Sequence, residues 1–243
     1  MTFPKIDYPI IMIEVPTTKK SLKFRPMIVK EEKILLTSKA GDSETDIFLH
    51  IKQIVNNCCL EESDVFDIDK ISLLDLEYLF LKLRGYSIGN VINLSYKDIE
   101  DDVTRDFAIN LDDIKIVHPN TDPNNNIISV SEHINVIMRY PPATLYSNKD
   151  FLNAEDNEEI AQEILISCIY AIEESGQKHI VDHDKEKTEL EEFINNLEAG
   201  SARKLNDFFE NVPKMGYIIK YTNDAGTERE IVLNTLNDFF TLL

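Results

Sequence analysis

Five histidines, three cysteines and 44 acidic residues are the side chains that could ligate a metal or move a proton in this 243-residue sequence. His179 and His183 stand four apart, with Asp182 and Asp184 beside them. On a helix that spacing puts two imidazoles on one face, as in a two-histidine metal site. The zinc-protease pattern also needs Glu directly after the first histidine, and Ile180 stands there. The segment follows Ser175-Gly176 and is dense in charge, so a solvated linker is the expectation. Asp64, Asp67 and Asp69 suggest a calcium loop, but the fixed ligand spacing and its glycine are missing. They read as an acidic loop before a helix. Cys58-Cys59 has no second cysteine pair with which to build a tetrahedral thiolate site. Cys168 lies in an apolar run and reads as a small buried hydrophobe. No glycine-rich phosphate loop and no Gly-x-Ser-x-Gly elbow occurs. The expectation is a protein with no catalytic residue, no metal and no cofactor.

Charge narrows the classes further. Lys and Arg number 25 against 44 Asp and Glu, a net charge of −19. A nucleic-acid binder needs a basic footprint to displace phosphate counterions, so no nucleic-acid partner is expected. Hydrophobic content of 43% is enough for a packed core, and the length allows one large domain or two small ones. An odd cysteine count with two adjacent points to a reducing, cytosolic setting. Met1 to Tyr8 has no apolar signal region, and no apolar run is long enough for a bilayer, so no membrane partner is expected. One stretch runs against the overall charge. Lys19, Lys20, Lys23, Arg25, Lys30 and Lys33 oppose only Glu31 and Glu32, a local net of +4. It reads as a lysine-guarded hairpin edge, or as a docking patch for an acidic partner or a second copy. Lys23, Arg25, Lys30 and Lys33 are the candidate partner-binding residues there. Arg25, stiffened by Pro26, suits bidentate carboxylate recognition.

The elements that must position these residues follow from periodicity. Tyr8 to Val15 and Leu22 to Met27 read as a β-hairpin, and Val29 to Lys39 as a helix. After Gly41, Ser43 and Asp46 resemble a capping box for a helix carrying Ile47, Phe48, Ile51, Ile54 and Val55 on one face. Ser72 and Asp75 repeat that signal before Leu73 to Leu83, apolar nearly all round and therefore central. Gly85 is expected just past its end. Val91 to Leu94 and Phe107 to Leu111 then bracket an acidic tip. Ile114 to Val117, Ile127 to Val130 and Val136 to Tyr140 read as short strands, with an exposed turn over Asn120 to Asn126.

Helical faces follow: Ile160, Ile164, Leu165, Cys168, Ile169 and Ile172; then Leu190, Phe193, Ile194 and Leu197; then Leu205, Phe208, Phe209 and Val212. Tyr217 to Tyr221 and Glu228 to Leu233 form a last hairpin, and Asn234 caps a terminal helix. This last hairpin and the earlier one with the acidic tip share a strand–polar tip–strand pattern that fits either a repeat or chance. In the pairs Phe208-Phe209 and Phe239-Phe240, neighbouring rings point about 100° apart on a helix. Phe209 and Phe240 are the candidates for partner contact, with burial of both rings as the plain alternative. The expected fold is α+β: an N-terminal hairpin and helices, short antiparallel strands in the middle, and a helical C-terminal part with a final hairpin. The boundary falls at Pro141-Pro142, giving residues 1–141 and 142–243.

Several blocks resemble one family. Lys23-Phe24-Arg25-Pro26-Met27-Ile28-Val29-Lys30-Glu31-Glu32-Lys33 is similar to the opening block of the baseplate hub subunit and hub-assembly proteins of T-even-like contractile-tailed bacteriophages. Asp75-Leu76-Glu77-Tyr78-Leu79-Phe80-Leu81-Lys82-Leu83-Arg84, followed by Ser87-Ile88-Gly89, resembles that family's central helix. Met138-Arg139-Tyr140-Pro141, Phe208 to Lys214 and Leu236 to Phe240 follow in the same order. The resemblance implies a hub component or a hub-assembly chaperone that binds other tail baseplate hub proteins, with self-association as a further option. It implies the host cytoplasm during assembly and then the tail baseplate of the virion. Family members often carry Cys-x-x-Cys at the tips of both hairpins, which implies ribbon-type metal sites. Tyr96 to Arg105 and Thr222 to Thr227 stand at those tips here, without cysteine. The alternative class is an acidic inhibitor that mimics nucleic acid, which would need its carboxylates in a continuous stripe.

Overall fold

Most of the apolar patterns find a buried face in the computed structural model, which describes residues 6–40, 44–118, 126–154 and 156–240, although Val29, Leu36, Ile10 and Met12 are exposed. The chain runs β1 (Ile11–Glu14), β2 (Ser21–Phe24), α1 (Val29–Ala40), α2 (Glu44–Cys58), α3 (Leu73–Ser87), β3 (Val91–Lys97), β4 (Thr104–Asn110) and β5 (Lys115–Val117). It continues through β6 (Ile127–Ser129), β7 (Ile134–Met138), α4 (Lys149–Asn153), α5 (Asn157–Cys168), β8 (Ile169–Glu174) and β9 (Gln177–Ile180). It ends with α6 (Lys187–Asn195), α7 (Ala199–Asp207), β10 (Lys214–Thr222), β11 (Glu228–Leu233) and α8 (Leu236–Phe240). The α+β class expected from the sequence is the class observed. Two compact units divide the chain: Met1–Ile68, Leu74–Val117 and Lys214–Leu243 form the first, Asp69–Leu73 and His118–Pro213 the second.

In the first unit, Phe48, Ile51, Ile54 and Val55 of α2 are all buried, as their one-face spacing requires. α3 buries Leu76, Leu79, Phe80, Leu81 and Leu83, and with them Asp75 and Glu77. Asp75 is held by the hairpin turn: Thr17 donates its N–H to Oδ1 at 3.0 Å and its hydroxyl to Oδ2. Gly85 lies inside α3 rather than past its end. A Cβ there would come within 2.4 Å of the Asn90 side-chain oxygen, so the glycine makes room for the chain entering β3. β3 pairs with β4, and β11–β10–β5 forms a three-stranded antiparallel sheet. The terminal helix is capped by Asp238, not by the Asn234 side chain. Its carboxylate accepts the N–H groups of Asn234 and Thr235, each at 2.8 Å.

In the second unit, β6–β7–β8–β9 is a continuous antiparallel sheet. Its core joins Val136 and Met138 to Leu165, Ile166 and Cys168 of α5, Ile169 of β8, Leu190 of α6 and Leu205 of α7. Ile169 and Ile172, expected on a helix, belong to β8. The helix stops at Cys168, and the β-branched run turns back at Ser175-Gly176, whose φ values of 50° and 83° suit a primed hairpin turn. Phe208 and Phe209 lie in a short 3-10 segment after α7. Pro142 bridges to Ser72, and the Ala143 N–H donates to the Ile71 carbonyl at 2.9 Å, so Pro141-Pro142 sits within this unit. Ser43 and residues 120–125 of the turn expected over Asn120 to Asn126 lie outside the described residues.

Candidate partner-binding site

The basic stretch is carried by the β1–β2 hairpin and the start of α1. Along β2, Leu22 and Phe24 point into the unit, so Lys23 between them points out. Its backbone N–H donates to Glu61 Oε1 at 2.9 Å, which fixes the strand. Lys30 and Lys33 are exposed on α1.

Arg25 has a different use from the one its neighbours suggest. Its guanidinium grips Glu31 with both forks, at 2.9 and 3.1 Å. It also donates to the carbonyls of Pro26 at 2.9 Å and Asn57 at 3.0 Å. Glu31 is fully buried and accepts the Ile28 N–H at 3.0 Å. Burial pushes its carboxyl up, but the bonds from Arg25 and Ile28 outweigh this and hold it below its ordinary range. The bidentate carboxylate that Arg25 suits is thus inside the unit, six residues on. The candidate surface is left with the three lysines.

Phe209 is half-buried at the edge of the second unit's core. Its ring meets Phe208 edge-on at 5.6 Å, while Phe208 is buried and stacks on Tyr140 at 6.0 Å. The pair divides into one inner and one outer ring. The side chain of Phe240 lies outside the described residues; its neighbour Phe239 is fully buried.

A model of the T4 bacteriophage base plate protein family matches residues 8–241. The chain belongs to that family. No curated protein and no solved structure matches it. Family membership makes this a phage baseplate structural protein whose partners are proteins of the virion tail. No helix among the described residues is long and apolar enough to cross a membrane.

In this baseplate protein the two hairpin tips meet, which the separate sequence patterns did not reveal. Tyr221 donates its hydroxyl to Asp98 at 2.7 Å, and Asn223 donates to Glu100 at 2.6 Å. Arg229 reaches Glu100 at 2.8 Å. Arg105 spans Asp101 and Asp224, the latter at 2.8 Å, and lies 5.5 Å from the Tyr221 ring centre. The bonds from Arg105 hold the Asp101 carboxyl well below the usual carboxylate range. These residues do not fit a ribbon-type zinc. Such a site wants converging thiolates, and two guanidinium groups occupy the junction instead. His179 sits on β9 with Nε2 2.8 Å from Glu186, and His183 lies in the following loop, so the helical spacing does not apply. Among the described residues no group of three His, Cys, Asp or Glu could hold a metal ion. Burial pushes the thiols of Cys58 and Cys168 up to about 12, which makes them inert.

Proposed function

We propose that this baseplate protein is a hub subunit or an assembly factor for the hub, acting by protein–protein binding without covalent chemistry. One observation supports the reading above others: Lys23 on the β1–β2 hairpin and Lys30 and Lys33 on α1 are each exposed in a chain with net charge −19. Charges of this kind at an interface rim steer encounter and fix register more than they add affinity. The partner is an acidic surface of another tail hub protein, met in the host cytoplasm as the baseplate forms. Phe209 offers a second contact of a different kind, a half-buried aromatic edge. The nucleic-acid mimic is disfavoured because the acidic tip is already consumed: Glu100 and Asp101 are paired with Arg229 and Arg105.

The test is a triple variant, Lys23→Glu with Lys30→Glu and Lys33→Glu, supplied during infection with a phage lacking the gene. Incorporation of hub proteins into baseplates falls while the circular dichroism of the purified variant is unchanged. Normal baseplates from the triple variant overturn the reading. Mass spectrometry of purified particles against infected-cell lysate then separates a resident subunit from a factor that leaves.

A further inference from the structure

The second unit holds a pocket of about 470 Å³ between the end of β7, the close of α5 and the loop after β9. Two of its lining side chains are cations, Arg139 and Lys187. Lys187 is matched: its ammonium donates to Asp150 at 2.5 Å and to Glu163 at 2.7 Å. Arg139 is not. Its backbone N–H donates to the Cys168 carbonyl at 2.7 Å, and its Nε to the Ser167 carbonyl at 2.9 Å. The Nε bond closes the last turn of α5, as a basic side chain at a helix C-terminus ordinarily does. It leaves the fork of the guanidinium unused. The two terminal nitrogens have no protein partner among the described residues, and neither is sealed from solvent.

A guanidinium drawn out of water without an anion keeps its desolvation cost. Burial holds Arg139 below its ordinary range, and no carboxylate of the described residues offsets this. Its charge is felt by His183 instead. Burial and Arg139 together hold that imidazole below its ordinary range, against the pull of Asp184 and Asp182. The Nε2 of His183 is buried with no hydrogen-bond partner. The pocket thus contains an unmatched cation beside a neutral histidine, while its other cation is already paired.

We propose that this pocket receives the carboxylate of an aspartate or glutamate side chain of a partner protein, gripped by the two terminal nitrogens of Arg139. A planar fork of parallel N–H groups matches a carboxylate in a bidentate pair. The rest of the lining favours one negative charge over two. Asp150, Glu163 and Asp184 set three carboxylates beside the single ammonium of Lys187, so a phosphate dianion meets more repulsion than a carboxylate does. The volume suits an organic group rather than a lone ion. Pro142, Leu145 and Ile166 give the methylenes of the entering side chain an apolar wall. That a protein bears the carboxylate rests on the reading of this chain as a binding component; the site itself lies in the second unit and uses none of the lysines.

The probe is an alanine–glutamate–alanine tripeptide with both ends blocked, titrated into the full-length protein and followed by NMR. The glutamine tripeptide and inorganic phosphate are its controls. The glutamate peptide moves the His183 ring and Ser167 amide resonances saturably. It also raises the pH at which His183 titrates, because the carboxylate offsets the Arg139 charge. The glutamine peptide and phosphate bind at least about tenfold more weakly. Arg139→Gln loses affinity for the glutamate peptide by about tenfold or more. Should that variant fail to fold for want of its bond to α5, Ser147→Glu decides. Ser147 is exposed and lines the pocket, so a carboxylate there repels the peptide by about tenfold in affinity without touching the Arg139–Ser167 bond. No saturation, equal binding of the glutamine peptide, phosphate binding as tight as the glutamate peptide, or shifts that leave His183 unmoved overturn the proposal. So does unchanged affinity in either folded variant. During infection, Ser147→Glu lowers incorporation of hub proteins into baseplates. A baseplate defect in the triple lysine variant together with none in Ser147→Glu would sink the partner carboxylate and leave the hub reading standing.

Discussion

At the scale of single residues, three of the buried acids in the first unit, Glu31, Asp75 and Glu77, solve burial in different ways. Glu31 is ionised and fully satisfied by Arg25 and Ile28, and Asp75 is held by Thr17. Removing one partner of a buried pair strands the other, which typically costs about 3–5 kcal/mol. Arg25→Ala is therefore expected to lower unfolding free energy by about that amount in urea denaturation, where a surface docking residue would shift it by under about 0.5 kcal/mol. Glu77 is the opposite case. It is buried beneath the start of α8 with one long bond, from the Leu236 N–H at 3.4 Å. Burial pushes its carboxyl up to about 7, and the nearby Asp238 adds to the rise. The folded form thus favours the proton more than the unfolded chain does. The stability this provides is complete below about pH 4.5 and is lost as pH rises through 7. Glu77→Gln cannot ionise, so relative to the parent it gains about 3 kcal/mol between pH 4 and pH 8. Denaturation curves at the two pH values check this, and equal curves for parent and variant at both would refute it.

Elements show what the sequence made legible and where it stopped. α2 and the β1–β2 hairpin were readable because one local period governs each: Phe48, Ile51 and Ile54 recur as a helix face, and Leu22 and Phe24 alternate. β8 was not, because Ile169 and Ile172 also continue the helical face of α5; only the Ser175-Gly176 turn marks the reversal. Arg25 is legible only in part. Its type and its proline neighbour predict a carboxylate partner correctly, but sequence alone does not say whether that carboxylate belongs to this chain. The joined tips depend on side chains more than a hundred positions apart, Arg105 with Asp224 and Asp98 with Tyr221, and no window along the chain contains both. Two expectations follow for the junction. Chelators leave the melting temperature unchanged, since charge pairs and rings hold the tips. Arg105→Ala frees Asp101 and Asp224 together, so the Asp224 amide, bonded to Asp101 at 2.9 Å, exchanges about tenfold faster while amides in α3 do not change. A uniform rise across both elements would mean that the tips unfold only with the whole unit.

At the scale of the whole molecule, the chain leaves the first unit twice, briefly at Asp69–Leu73 and at length at His118–Pro213. β5 ends at Val117 and β10 begins at Lys214, and these two residues lie opposite each other in the antiparallel ladder. Everything from His118 to Pro213 leaves and re-enters the first unit at that one pair. The cost of this arrangement is kinetic. β5 and β10 can pair only after the chain has closed a loop as long as the main segment of the second unit, and such non-local pairing slows folding. The geometry also makes the longer interruption removable. Replacing residues 118–213 by Asn-Gly turns β5 and β10 into a direct hairpin, because two residues of that type bridge facing strands with the twist they require. The buried acids, the joined tips and the three surface lysines all remain in the shortened chain. It is expected to unfold in one cooperative transition, to keep the protected amides of α3 and to refold at least about tenfold faster than the full chain in stopped-flow measurements. A broad transition without amide protection would mean that the first unit does not fold independently of residues 118–213.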